Sequence, residues 1–485
     1  MQPTVLVVMD GVGLREEEKG NAFRQAETPN IDSLMEGGFE ELQAYGPAVG
    51  LPEGYQGNSE VGHLHLGAGR RIPQRLKRIN DAAESGELGE KKALVEALER
   101  AEENGTAVHL AGIISDGGIH GHMEHLEALL KITSRYGIED VYVHCFTDGR
   151  DVAPKSAGKF LSQVEEWCDE YGAEIATVEG RYYAMDRDHN WDRTEKAYRA
   201  MALGDGFEFS EPSEAVEKTY REGDYDYFIQ PSARDSYDGM NSEDELVFYN
   251  YRADREVQIA RAFLEEGFQE FENPVRPNFT SMFLYEHDFD NPVLFEKQVV
   301  EDTLGEKIER EGMSQLRITE SQKIPHVTYF FNGQRELEFE NERREFVESD
   351  KIKAYDQKPE MHADDITDIL VEAIQEGEHE FIMLNFPNCD LVGHTGDLDA
   401  AVTAVETVDR NIGRIVEAVD GTEYALVVTA DHGNCEEVGS EEDPNTSHTL
   451  NDVPLMVYNA SPGFSFEENE LWEVEKLVED LLELD

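Results

Sequence analysis

Cysteine is scarce in this chain: four in 485 residues, Cys145, Cys168, Cys389 and Cys435, with no CxxC pair. That spacing excludes a disulfide framework and a reduced, cytosolic protein is expected. Long apolar runs are missing too. No stretch approaches the ~18 apolar residues of a membrane span. The N-terminal MQPTVLVVMDG has no basic leader and loses its apolar character at Asp10, so a soluble cytoplasmic chain is expected. Basic residues are also few, 42 Lys and Arg against 105 Asp and Glu, for a formal charge of −63. Such a surface repels a phosphate polyanion, which argues against a nucleic-acid partner. A small anionic substrate then needs a local cluster of Arg and Lys. The acids run along the whole chain, a pattern suited to a salt-rich cytoplasm in which counterions screen them.

What is present is a globular chain, 39% apolar, long enough for two or three domains. Five short apolar runs stop at a carboxylate: VLVVMD at Asp10, VHLAGIISDG at Asp116, VYVHCFTDGRD at Asp148, FIMLNFPNCD at Asp390 and YALVVTADHG at Asp431. Continuous apolar runs of this length read as buried parallel strands. Between them lie helical rhythms, such as Leu398, Val402, Val405, Ile412 and Val416, so the class is α/β with crossover helices. The outer segments carry the same strand-then-Asp pattern, so an inserted domain fits better than a tandem pair. Seams fall in Gly67 to Arg78 and in Asn273 to Pro292. A last amphipathic helix, with Leu471, Val474, Leu477, Val478, Leu481 and Leu482, is expected to pack on the main core.

Polar residues at the carboxyl ends of parallel strands are where open α/β sheets place ligands. Asp390 and His394 stand four apart in DLVGHTG, Asp431 and His432 are adjacent in ADHGN, and His448 follows in TSHTLND. Carboxylates mixed with imidazoles, with no cysteine among them, suit divalent Mn, Zn or Co. With Asp10 at another strand end, a two-ion site able to clamp a phosphoryl group is expected. Ser59 in GNSEVGH then gains a purpose. A serine hydroxyl is a weak nucleophile at neutral pH, and a neighbouring divalent cation activates it.

Taken together, VMDGVGL, GNSEVGHLHLGAGR, SDGGIHGH, TDGRD, GRYYAMDRD, NYRADR, ESQKIPHVTYFFNG, DLVGHTG and ADHGN resemble, in that order and over nearly the whole chain, the cofactor-independent phosphoglycerate mutases of the alkaline phosphatase superfamily. The resemblance implies an alkaline-phosphatase-like three-layer α/β domain, residues 1–73 and 298–485, that binds the metals. A second α/β domain, residues 74–297, is inserted into it and binds substrate. It further implies interconversion of 3-phosphoglycerate and 2-phosphoglycerate through phosphorylated Ser59, with two Mn ions and no bisphosphoglycerate. One ion takes Asp10, Ser59, Asp431 and His432, and the other takes Asp390, His394 and His448. Phosphoglycerate contacts fall on His120, Arg150, Asp151, Arg181, Arg187, Arg252, Arg255 and Lys323, with Asp151 as general acid and base beside Arg150. Arg255 and Lys323 would offset charge during transfer.

The same superfamily holds metal phosphatases and phosphopentose mutases, which share DLVGHTG and ADHGN, and the middle-segment motifs distinguish this chain from them. A binding protein without turnover is disfavoured by the retention of Ser59 and every ligand position. Three positions depart from the usual pattern: His65 stands where Asn is usual, Gln322 where an acid is common, and Asn190 where a base often sits. A monomer is expected from the charged surface, which offers no obvious apolar interface.

Overall fold

A computed structural model describes residues 1–440 and 442–484. The chain divides into two compact units, Met1–Lys77 with Gln298–Asp485, and Arg78–Lys297. The helix Arg75–Ser85 carries the chain from one to the other.

The first unit is built on a seven-stranded sheet in the order Glu342–Val347, Gln315–Glu320, Phe381–Phe386, Thr4–Met9, Ala425–Thr429, Val453–Tyr458, Phe39–Leu42. The first five are mutually parallel, and the last two run antiparallel to their neighbours. Every residue of TVLVVM, FIMLNF and ALVVT is buried. Successive side chains point to opposite faces, so strands buried throughout need cover on both sides. Two sets of helices supply it. Pro29–Glu36, Ala363–Glu376 and Leu398–Val419 pack together, as do Ser59–Ala68, Leu304–Arg310 and Glu473–Leu482. The result is three layers.

The rhythm read around Leu398 is a 22-residue helix, Leu398–Val419, started by Asp397, whose side chain accepts from the Ala400 N–H. Its stripe of Ala401, Ala404, Val405, Val408, Ile412 and Ile415 lies in the same core as Leu471, Val474, Leu477 and Leu481 of the last helix. Burying one such Val or Leu stabilises the fold by about 1.5–3 kcal/mol. A charge at Val408 would cost more than that and detach the helix.

The second unit has its own seven-stranded sheet, in the order Phe207–Phe209, Ser232–Arg234, Glu174–Gly180, Val141–Thr147, Val108–Ile113, Glu245–Phe248, Asn278–Ser281. Its last five strands are parallel. Phe146, Phe248, Phe263 and Tyr198 fill one face. One strand-end expectation needs correction. The chain leaves the sheet at Ile113, and Asp116 is exposed and pairs with Lys159 at 3.4 Å. The buried polar group at that edge is Ser115, which donates to Asp148. All four cysteines are buried and unpaired. Among the described residues, no helix is long and apolar enough to cross a membrane.

Candidate active site

Four parallel strands of the first unit end at one edge, and each delivers a polar residue there. Thr4–Met9 leads to Asp10, Phe381–Phe386 to Asp390, Ala425–Thr429 to Asp431 and His432, and Gln315–Glu320 to Lys323. Ser59 joins them as the first residue of helix Ser59–Ala68. Asn58 caps that helix by accepting from the Val61 N–H at 3.0 Å. The serine hydroxyl therefore lies at the electropositive end of a ten-residue helix, which favours an anion on its oxygen. It donates to Asp10 Oδ1 at 3.1 Å, lies 3.0 Å from His432 Nε2 and accepts from Lys323 Nζ at 2.7 Å. Lys323 also donates to Asp10 at 2.9 Å and to Asp390 at 2.7 Å.

This cluster is buried, and its charges set one another. Burial opposes ionisation of Asp10 and Asp390, yet Lys323 and nearby histidines hold both well below the usual carboxylate range. Burial likewise opposes charge on His432 and Lys323. Asp431, Asp10 and Asp390 outweigh it, pushing His432 up to about 10, and Asp10, Asp390 and Asp431 lift Lys323 above the ordinary lysine range.

The donor set fits divalent metal ions. His394 Nδ1 faces the Thr446 carbonyl at 2.8 Å and His448 Nδ1 faces that of Gly57 at 2.9 Å, so both protons sit on Nδ1. The two Nε2 atoms are left 3.0 Å apart, at 3.2 and 3.3 Å from Asp390 Oδ1. Two imidazole nitrogens and a carboxylate oxygen converging on one point form a donor set that can hold a divalent cation. Asp10 and His432 form a second grouping with Asp390. Asp431 adds a buried oxygen, Oδ2, with no hydrogen-bond partner. His63 lies 3.1 Å from that oxygen, but its Nδ1 faces the Ser59 carbonyl at 2.9 Å and its Nε2 lies 3.1 Å from Asn385 Nδ2. Asn385 in turn donates to Asp10 Oδ2 at 2.8 Å, and Asn434 donates to Asp390 Oδ1 at 3.0 Å. Sequence reasoning missed these orienting residues, although the Asn in FIMLNF, a polar residue inside an apolar run, was a signal.

The second unit concentrates arginine at the carboxyl ends of its parallel strands. Arg181 follows Glu174–Gly180, is buried, and donates to Asp148 at 2.6 Å and to Asp151 at 2.5 Å. The partner of Asp151 is thus Arg181 and not its neighbour Arg150. Arg187 and Arg252 pair with Asp254 at 2.8 and 3.0 Å. Burial and the neighbouring Arg181, Arg187 and Arg150 push Arg255 below the ordinary arginine range, which marks a true clustering of cations. His120 is buried among them, 3.8 Å from Asp254. The departures have structural parts. His65 bridges the Val61 carbonyl and the Ile72 N–H at 2.8 and 2.9 Å. Asn190 donates to Asp186. Lys323, by contrast, belongs to the first cluster.

A family model described as the metalloenzyme superfamily matches residues 2–485. A 2,3-bisphosphoglycerate-independent phosphoglycerate mutase from Moorella thermoacetica is 46% identical over 495 residues, which span 100% of this chain and 96% of the relative. The chain belongs to that family. A crystal structure of Leishmania mexicana phosphoglycerate mutase at low cobalt concentration is similar at 32% identity and a TM-score of 0.71, covering 100% of this chain and 96% of that one. The fold is accordingly that of a phosphoglycerate mutase: an α/β unit with a second α/β unit inserted between its two segments. As a member of a metalloenzyme family, the mutase uses divalent metal.

Proposed function

We propose that the protein interconverts 3-phosphoglycerate and 2-phosphoglycerate through a phosphoserine at Ser59, without free bisphosphoglycerate. The observation that carries this reading is the Ser59 hydroxyl at a helix N-terminus, within hydrogen-bond distance of Asp10, His432 and Lys323. The first unit binds metal and the second binds substrate. Asp390, His394 and His448 would hold one divalent ion, Mn2+, and Asp10, Ser59, Asp431 and His432 the other. Bound there, the ions would lower the pKa of the serine hydroxyl and offset charge on the phosphoryl oxygens.

Ser59 Oγ, its proton lost to solvent before the step, would bond to phosphorus as the bond to the substrate oxygen breaks. Asp151, entering the step protonated, gives that oxygen its proton. Glycerate stays bound and turns, and Asp151 takes the proton of its other hydroxyl as that oxygen draws the phosphoryl group back from Ser59. Lys323, bonded to Ser59 Oγ, balances charge on the serine side. His120, Arg150, Arg181, Arg187, Arg252 and Arg255 hold the carboxylate and phosphate, for which planar guanidinium groups are well shaped. Exclusion of water is essential, because water reaching phosphoserine would make the enzyme a phosphatase. The enzyme serves glycolysis and gluconeogenesis in a salt-rich cytoplasm, as a monomer.

Phosphorus NMR with 3-phosphoglycerate, Mn and molar KCl, and no added bisphosphoglycerate, tests this. The expected result is 2-phosphoglycerate without inorganic phosphate, and no product from Ser59→Ala. Full activity in Ser59→Ala would overturn the phosphoserine, and inorganic phosphate alone would make the enzyme a phosphatase.

A further inference from the structure

The buried carboxyl of Glu256 is not used in the scheme above. It lies just beyond the short helical turn Ala253–Arg255 and is wholly buried. Two N–H donors fix it: Asn250 Nδ2 at 2.9 Å from Oε1 and the Arg255 backbone at 3.2 Å from Oε2. Asn250 is itself locked, since its Oδ1 accepts from the Ile113 N–H at 2.9 Å. A Cβ at Gly112 or Gly121 would approach that same oxygen to 2.8 or 2.6 Å, so both glycines keep the space open.

The loop bearing His120 is tied from the same strand end. Tyr251 donates its backbone N–H to the His120 carbonyl at 2.8 Å and its hydroxyl to the Gly118 carbonyl. His120 Nδ1, however, is buried without a hydrogen-bond partner. An orphaned ring nitrogen in a buried site needs a counterpart. Two carboxylates face it, Glu256 Oε1 at 3.7 Å and Asp254 Oδ1 at 3.8 Å. Asp254 is partly exposed and ion-paired with Arg187 and Arg252, although its Oδ1 makes no hydrogen bond. Glu256 has no arginine ion pair among the described residues and is held by its two hydrogen bonds.

We propose that Glu256 is a positioning residue whose carboxyl holds the His120 ring by Nδ1, so that Nε2 is the nitrogen turned to the substrate. This rests on the reading of His120 as a phosphoglycerate contact. A gap of 3.7 Å closes to a hydrogen bond with a small rotation of the imidazole, as catalytic contacts do when ligand binds. His120, Asp254 and Glu256 are also close enough to hold a cation. Arg181, Arg252 and Arg255 act on the same imidazole and would repel one, which favours the carboxyl–imidazole pair. Burial pushes Glu256 up to about 8, and burial with those guanidinium groups pushes His120 down to about 3, so the pair meets near neutrality without a full charge on either side.

The test uses the full chain labelled with 15N-histidine, with His120→Asn to assign the His120 signals and to check the underlying reading. In the wild type, His120 should show one fixed tautomer, with distinct signals from its two nitrogens. In Glu256→Ala these should converge toward freely exchanging imidazole, and KM for 3-phosphoglycerate should rise about five- to tenfold with kcat changed far less. Glu256→Gln, which fills the same space and can still hold Nδ1, should recover most of both. Fixed His120 signals in Glu256→Ala, or an unchanged KM, would overturn the proposal while leaving His120 as a substrate contact. Full activity in His120→Asn would overturn that reading instead.

Discussion

Lys323→Met removes a charge but keeps an unbranched side chain only one atom shorter. In the metal-free protein, Lys323 and His432 are the cations that face the buried carboxylates Asp10, Asp390 and Asp431. Loss of one partner of a buried ion pair costs about 3–5 kcal/mol, because a carboxylate is left without compensation. Part of that is relieved by protonation of Asp10 or Asp390, so ~3 kcal/mol is the expected loss. For a unit of this size, at roughly 2–4 °C per kcal/mol, the melting temperature should fall by about 6–12 °C. The assay is thermal unfolding followed by circular dichroism, after treatment with chelator. The sign of the pH effect follows from the carboxylates. Their folded pKa values are depressed in the wild type, so the stability they contribute is present above the unfolded carboxylate pKa and fades as pH falls. The variant lacks that contribution, and the two melting curves should converge in acid. Divalent metal should also narrow the gap, since an ion bound to Asp10 and Asp390 supplies the missing positive charge. A chelated variant melting within about 2 °C of the chelated wild type would refute the view of Lys323 as a counter-ion.

His432 reverses the sign. Its folded pKa is raised to about 10, so its contribution to the metal-free protein is complete below the unfolded histidine value and is lost as pH climbs towards 10. Stability should drop by up to about 1.4 kcal/mol per pH unit across that window, and a flat denaturation profile from pH 7 to 9 would contradict it. Gly62→Ala would place a Cβ 2.5 Å from the Asp431 carbonyl and 2.7 Å from its Cβ. Metal affinity by calorimetry and mutase activity should each fall about 10–100-fold, and activity within twofold of wild type would disprove the close approach. His65→Ala leaves the buried Ile72 N–H unpaired. It should cost about 1–3 kcal/mol in denaturant titration with kcat unchanged, whereas a lost kcat at full stability would place His65 in the chemistry.

The α/β class and the strand-end carboxylates Asp10, Asp390 and Asp431 are legible in the sequence because continuous apolar runs and their abrupt ends are local features. The long helix at Leu398–Val419 and the last helix are legible for the same reason. Tertiary structure decided what depends on strand order. Gln315–Glu320 and Thr4–Met9 flank Phe381–Phe386 in the sheet, although they come from different segments of the first unit, about 300 residues apart. That adjacency brings Lys323 onto Asp10 and Ser59, where sequence had offered it as a phosphoglycerate contact that offsets charge during transfer. Strand order likewise gives Asp151 to Arg181 instead of adjacent Arg150, and leaves Asp116 in solvent. Asn434 and Glu256 looked like ordinary polar residues, and Asn385 stood out only as a polar residue inside an apolar run. Periodicity reveals which face a residue occupies, but the partner of a buried polar group is chosen by other elements of the fold, through register and crossover that no local pattern encodes.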